Sequence, residues 1–281
     1  MQKAIKTTLG ALLLALPVIG QSLTIPHIVD GAGWQSTIVL TNMSANAASA
    51  TLVFHKETGG GNTGPWTPTF QEVVSTSGLT MAGGSTLFLH TTGKASDPLS
   101  QGWAELNADA GVTGYVVFTI RVPGRQDQEG TAPAATASNR MLVPYDDSNG
   151  FVTGIAVTNP TGSAQTLSVG FRTTSGGVAV NTLPAIPAGG HMSFVLSQQF
   201  PVINGHEGLA EFYSSSGNVS MIALRFNPTS SFTAAPVYAQ TGAPLITASS
   251  DPYDPTMPDP NPNPYPYPYP YQTMTRAGGV H

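Results

Sequence analysis

Apolar and polar residues alternate through most of this chain. In "TLSVGFR" (residues 166–172), Leu167, Val169 and Phe171 share one face, while Ser168, Gly170 and Arg172 share the other. "SATLVFH" (residues 49–55) repeats the pattern with Ala50, Leu52 and Phe54. A period of two marks a half-buried β-strand, because successive side chains point to opposite faces of a sheet. "AELNADAGVTGYVVFTIR" (residues 104–121) reads as a hairpin turning near residues 109–111. "GLAEFYSSSGNVSMIALRFN" (residues 208–227) reads as a second hairpin, turning near residues 216–218. Beyond the N-terminal segment, helical spacing is confined to residues 196–202, enough for one turn at most.

The strand pattern occurs twice. "GWQSTIVLTNMSANAASATLVF" (residues 33–54) lies without a gap on "GFVTGIAVTNPTGSAQTLSVGF" (residues 150–171). Shared positions include Gly33/Gly150, Ile38/Ile155, Thr41/Thr158, Asn42/Asn159, Ala47/Ala164 and Phe54/Phe171. "AGGSTLFL" (residues 82–89) then matches "AGGHMSFV" (residues 188–195), and "GWAEL" (residues 102–106) matches "GLAEF" (residues 208–212). Several blocks recurring in one order imply a tandem duplication. Units of about 100 residues with short strands and Gly, Pro, Ser and Asn turns predict an all-β protein. The predicted architecture is two tandem immunoglobulin-like antiparallel β-sandwiches, with a single jelly roll as the alternative. The first sandwich is expected over residues 23–125 and the second over residues 140–240. A polar linker is expected at residues 126–139, and a Pro/Tyr-rich tail at residues 241–281.

Residues 1–20 read as an export signal. Lys3 and Lys6 precede a short apolar run, and Val18 and Gly20 are small enough for a cleavage site. The run is shorter than the roughly 20 residues a membrane-spanning helix needs. This segment predicts a secreted protein, extracellular or at the cell surface. Its removal takes two of the ten basic residues and none of the 15 acidic ones, moving the formal charge from −5 to −7. That balance argues against nucleic acid as a partner, since phosphate binding needs a basic patch. The chain has no cysteine, so its stability must come from the core or from assembly. Charged residues make up 9% of the chain, against about 25% in ordinary domains, leaving a weakly repulsive surface.

The blocks "IPHIVDGAGWQSTIVLTN … AGGSTLFL … GWAEL" and "VPYDDSNGFVTGIAVTNP … AGGH … LAEF … LRFNP" resemble the tandem Ig-like repeats of secreted bacterial surface proteins. The likeness spans most of residues 24–239. It implies a fold and a location; relatives of this type mostly lack an assigned activity, so it implies no catalytic residues.

Signatures of known chemistry are absent from the sequence: no G-x-S-x-G, no H-E-x-x-H and no phosphate-binding loop. "GGGNTG" (residues 59–64) lacks the lysine of a phosphate loop and is expected to be a flexible hairpin tip. The six histidines lack paired ligand spacing, and His191 stands where the first repeat has Ser85, which suggests a tolerant surface position. Glu105 and Glu211 are equivalent in the two repeats and are expected on outer strand faces. Asp146, Asp147 and Asn149 offer hard oxygens of the kind calcium takes, and an ordinary Asp/Asn/Gly turn is the competing reading. No other cofactor is indicated. Trp34 and Trp103 fall on repeat positions that suggest packing, whereas Trp66 sits in an insertion, either binding a glycan ring or covering a hairpin end.

In "NPNPYPYPYPYQ" the prolines remove backbone donors and favour an extended polyproline arm. Tyr265, Tyr267, Tyr269 and Tyr271 would be splayed around it. The expectation is a non-enzymatic structural or adhesion protein of the cell surface or matrix. Its partners would be other copies of itself, the envelope or a polysaccharide. A carbohydrate-binding module using Trp66 and the tail tyrosines is the alternative, and a β-sandwich hydrolase a more distant one.

Overall fold

The computed structural model describes residues 20–247 except 122 and 230. Residues 1–19 of the expected signal, and the expected binding residues Tyr265, Tyr267, Tyr269 and Tyr271, lie outside the described residues. The first half contains β1 (Gln21–Asp30), β2 (Trp34–Asn42), β3 (Ala48–Gly59), β4 (Asn62–Trp66), β5 (Leu79–Met81) and β6 (Thr86–His90). It is completed by β7 (Ser100–Ala108), β8 (Val112–Ile120) and β9 (Gln128–Pro133). The second half contains β10 (Arg140–Asp146), β11 (Val152–Thr158), β12 (Gln165–Thr173), β13 (Val178–Ile186) and β14 (His191–Val195). One helical turn, α1 (Leu196–Gln199), and a 3-10 turn at Pro201–Ile203 follow, where the sequence left room for them. The chain then forms β15 (Glu207–Tyr213), β16 (Ser220–Phe226), β17 (Phe232–Ala235) and β18 (Tyr238–Gln240).

The fold is all-β, and the strands pair in four antiparallel sheets. In the first half, sheet I runs β1-β7-β3-β4 with β5 also on β3, and sheet II runs β6-β2-β8-β9. In the second, sheet III runs β13-β12-β15-β10-β18 and sheet IV runs β14-β11-β16-β17. Exchanging β10, β15, β12 and β13 for β1, β7, β3 and β4 turns the order of sheet III into that of sheet I. The same holds for sheets IV and II.

Two expectations change. The segments read as hairpins are not hairpins: β7 pairs with β1 and β3, whereas β8 pairs with β2 and β9 in the other sheet. Residues 109–111 carry the chain across the sandwich and are tied to other strands. The Asp109 carboxylate accepts from Ser49 N at 2.7 Å, and Met43 N donates to Gly111 O at 2.8 Å. The link β15–β16 crosses in the same way. The expected linker is also structured, because β9 is an edge strand of sheet II and Ala135 pairs with Thr24.

The repeated residues have physical causes. Asn42 and Asn159 are fully buried. Asn42 Nδ2 donates to Asn46 O (2.8 Å) and Ala82 O (3.1 Å), and its Oδ1 accepts from Ser44 N (3.0 Å). Asn159 does the same with Ser163 O (2.7 Å), Pro187 O (2.8 Å) and Thr161 N (3.0 Å). Each side chain satisfies loop backbone groups that burial would otherwise leave unpaired. In the "GWAEL" and "GLAEF" blocks, a Cβ on Gly102 would lie 1.9 Å from His55 O, and one on Gly208 would lie 2.1 Å from Arg172 O. Only glycine permits that approach.

The two halves are fused through sheet IV. On β16, Met221 and Ala223 enter the core of the second half, whereas Ile222, Leu224 and Phe226 enter the core of the first. β11 divides likewise, with Ile155 and Val157 on one side and Val152 and Ala156 on the other. A sheet covered on both faces is apolar on both, which explains why every residue of β11 is buried.

Candidate functional site

A buried polar cluster lies where the halves meet. β1 has a bulge between Ile25 and Ile28, at Pro26, a residue with no N–H to give the ladder. Pro26 O instead accepts from Thr158 Oγ1 at 2.9 Å, tying β1 to β11. The next residue, His27, is buried and stacks on His191 with ring centroids 5.3 Å apart. His27 Nδ1 lies 3.2 Å from His191 Nε2, and His191 Nδ1 lies 2.9 Å from Glu57 Oε2. With a carboxylate at its end, His191 donates from Nδ1 to Glu57, and a single proton bridges His191 Nε2 and His27 Nδ1. Burial, and to a lesser degree His191, hold the His27 imidazole well below its usual pKa.

His191 therefore belongs to the interior, contrary to the surface position expected from its match with Ser85. The hairpin tip at residues 59–64 is likewise docked. Gly61 O accepts from His191 N at 3.0 Å, and Thr63 Oγ1 donates to Gly189 O at 2.7 Å. Trp103 completes the contact, donating Nε1–H to Gly189 O at 2.9 Å and stacking on His55 with centroids 4.2 Å apart. These residues sit on the outer faces of strands, where sequence alternation gives no hint of a partner surface.

Beside this cluster opens a cavity of about 380 Å³, lined by polar residues such as Glu57, Gln101 and Ser193 and by apolar ones such as Leu99, Phe194 and Leu224. Gln101 Nε2 donates to Glu57 Oε2 and Ser193 Oγ, both at 3.0 Å. A lining of this mixed kind can hold a small amphipathic group.

The candidates chosen from sequence are not in this cavity. Asp146 is engaged by Arg225 (2.6 and 3.0 Å) and by Ser148 Oγ (2.8 Å), and these bonds and the Arg225 charge hold its pKa down against the effect of partial burial. Asp147 is buried, its Oδ2 has no partner, and burial pushes its pKa up to about 7. Asn149 is in the left-handed region (φ 51°) of the turn. Among the described residues no group of three His, Cys, Asp or Glu side chains is arranged to hold a metal ion. Trp66 is in β4 rather than a loop; it is half-buried and packs edge-on against Phe54 at 6.3 Å.

Glu211 also has a role that its sequence match with Glu105 did not reveal. It is buried beneath residues 243–246, which cross the outer face of sheet III as a strap. Its carboxylate accepts from Leu245 N (2.8 Å) and Ile246 N (2.6 Å). Arg140 Nη1 donates to Ala243 O at 2.5 Å, and Ile246 fills the space over Gly170, where a Cβ would lie 2.7 Å from it. Glu105 is only half-buried and accepts one bond, from Ser22 Oγ at 3.1 Å.

One exposed face carries aromatics. On the outer side of sheet II, Val39 is paired with Phe88 on one neighbour and Tyr115 on the other, and Tyr115 with Pro133 beyond. Phe88 and Tyr115 are 49% and 40% exposed, whereas Val39 between them is buried, so the available surface is that of the two rings.

No family model matches the chain, and no curated protein matches it. No helix among the described residues is long and apolar enough to cross a membrane.

Proposed function

We propose that the protein is a secreted, non-enzymatic structural or adhesion protein of the cell surface or matrix that assembles with copies of itself. The observation that carries this reading is the edge of sheet III. β13 is nine residues long, lies at the sheet edge, carries no charged residue and presents Val180 at 38% exposure. Long uncharged edges invite strand addition; Pro184 and the irregular register beside it guard the end of β13, which leaves residues 178–183 for a partner strand. The strap over Glu211 lies on the same sheet, so the chain that follows it starts from a fixed point near this edge. In this reading the halves are immunoglobulin-like sandwiches of exchanged edges. The β2–β6 and β3–β7 pairs stand for the strand pairs at the centre of that fold; β1 holds the edge its last strand holds, and β8 lies beside β2 as its first strand does, with β9 added beyond it. Export rests on the N-terminal segment.

The test is sedimentation and electron microscopy of the protein lacking residues 1–20, beside Val180→Lys and a form ending at residue 250. Assemblies that Val180→Lys dissolves are the expected result. A monodisperse monomer under all conditions would sink the reading.

A second reading, carbohydrate binding, is favoured by the Phe88 and Tyr115 rings rather than by Trp66. Phe88→Ala with Tyr115→Ala should abolish retention on immobilised polysaccharide and leave thermal stability almost unchanged.

A further inference from the structure

We infer that the cavity between the two halves is a binding site for a primary ammonium group carried on a short apolar stem. The polar lining of the cavity is rich in acceptors. The Gln101 amide has one chemically sensible orientation: reversed, it would set its oxygen against the Glu57 carboxylate. With Nε2 held by Glu57 and Ser193 at 3.0 Å each, Oε1 is left buried and without a partner. Ser193 Oγ, already accepting from Gln101, keeps a second lone pair. Glu57 Oε2 accepts from His191 Nδ1 at 2.9 Å. Among the described residues, no lysine or arginine lines the cavity. Gln101 Oε1 has no surface open to the cavity, so a cation there would meet the Glu57 carboxylate and the Ser193 hydroxyl, both of which line it. Leu99, Phe194 and Leu224 also line the cavity and can cover methylene groups. A neutral alcohol of the same length would bury the same stem but supply one donor and no charge.

The experiment is calorimetric titration of the protein lacking residues 1–20 with n-hexylammonium, n-hexanol and Nα-acetyl-lysine N-methylamide. Saturable binding of an amine, at least about tenfold tighter than the alcohol, is expected, as a charge-assisted bond is roughly twice as strong as a neutral one. Tighter binding of the lysine derivative would assign the site to a peptide side chain, and tighter binding of hexylammonium to a free amine. Glu57→Gln, which keeps an acceptor for His191, should weaken either amine about tenfold without affecting the alcohol. Should Glu57→Gln fail to fold, Leu99→Trp fills the cavity and should abolish binding of all three. Equal binding of amine and alcohol, or none of either amine, overturns the assignment.

Discussion

His27 Nδ1 and His191 Nε2, 164 residues apart in sequence, lie 3.2 Å apart in the buried contact between the two halves. Only one proton fits between them, and burial keeps His27 from taking a second. Below about pH 6.5 the unfolded chain binds a proton at this residue that the folded chain refuses, so stability falls as the pH is lowered. The loss is at most about 2 kcal/mol between pH 6.5 and 5. Asp147 acts in the opposite direction over part of this range and is common to both proteins in the comparison. His27→Leu should therefore lose less stability between pH 8 and pH 5 than the native chain, read from denaturant midpoints. An identical pH slope would exclude this role for His27.

Asp147, with a pKa pushed up to about 7, holds a proton when folded that it sheds when unfolded. Its cost is greatest above pH 7 and fades as the pH falls towards 4. Asp147→Asn should stabilise the protein at pH 8 by at least about 1 kcal/mol, with the gain shrinking on acidification. Thermal melts across pH 5 to 8 check this, and a gain independent of pH would contradict it.

Asn42 and Asn159 perform one task in two places. Replacing either by Ala leaves buried carbonyl and N–H groups unpaired and should cost about 2–3 kcal/mol. Chemical denaturation should give similar losses for the two variants; a loss under about 0.5 kcal/mol at both would refute the backbone-satisfying role.

Glu105 and Glu211 occupy matching positions, and their replacement should have unequal effects. Glu211→Ala removes a carboxylate from two strap N–H groups and should cost about 2–3 kcal/mol, with faster hydrogen exchange at Leu245 and Ile246. Glu105→Ala should stay within about 0.5 kcal/mol of the native chain. Unchanged exchange at Leu245 and Ile246 would show that the strap is held by Ile246 over Gly170 instead.

The aromatic and edge surfaces were partly legible in the sequence. Phe88 and Tyr115 fall on the outer side of alternating strands, but their union with Val39 depends on a register that turn chemistry did not reveal. Trp66 looked like an insertion because the second repeat lacks its counterpart. The glycine-rich hairpin tip between β3 and β4 was legible; that Trp66 would lie within β4 and pack on Phe54 was not.

Alternation by itself determined that the chain is made of strands, because one-sided burial imposes a period of two. The doubled blocks determined that one connectivity occurs twice, because Asn42/Asn159 and Gly102/Gly208 answer the same backbone demands. Tertiary structure alone decided which strands share a sheet, since an inward-facing residue is apolar whichever neighbour hydrogen-bonds its backbone. It alone placed His191, Glu57 and Gln101 beside a cavity and Glu211 beneath a strap. Those environments come from outer strand faces meeting surfaces far away in the chain, and the periodicity of an outer face says only that it is polar.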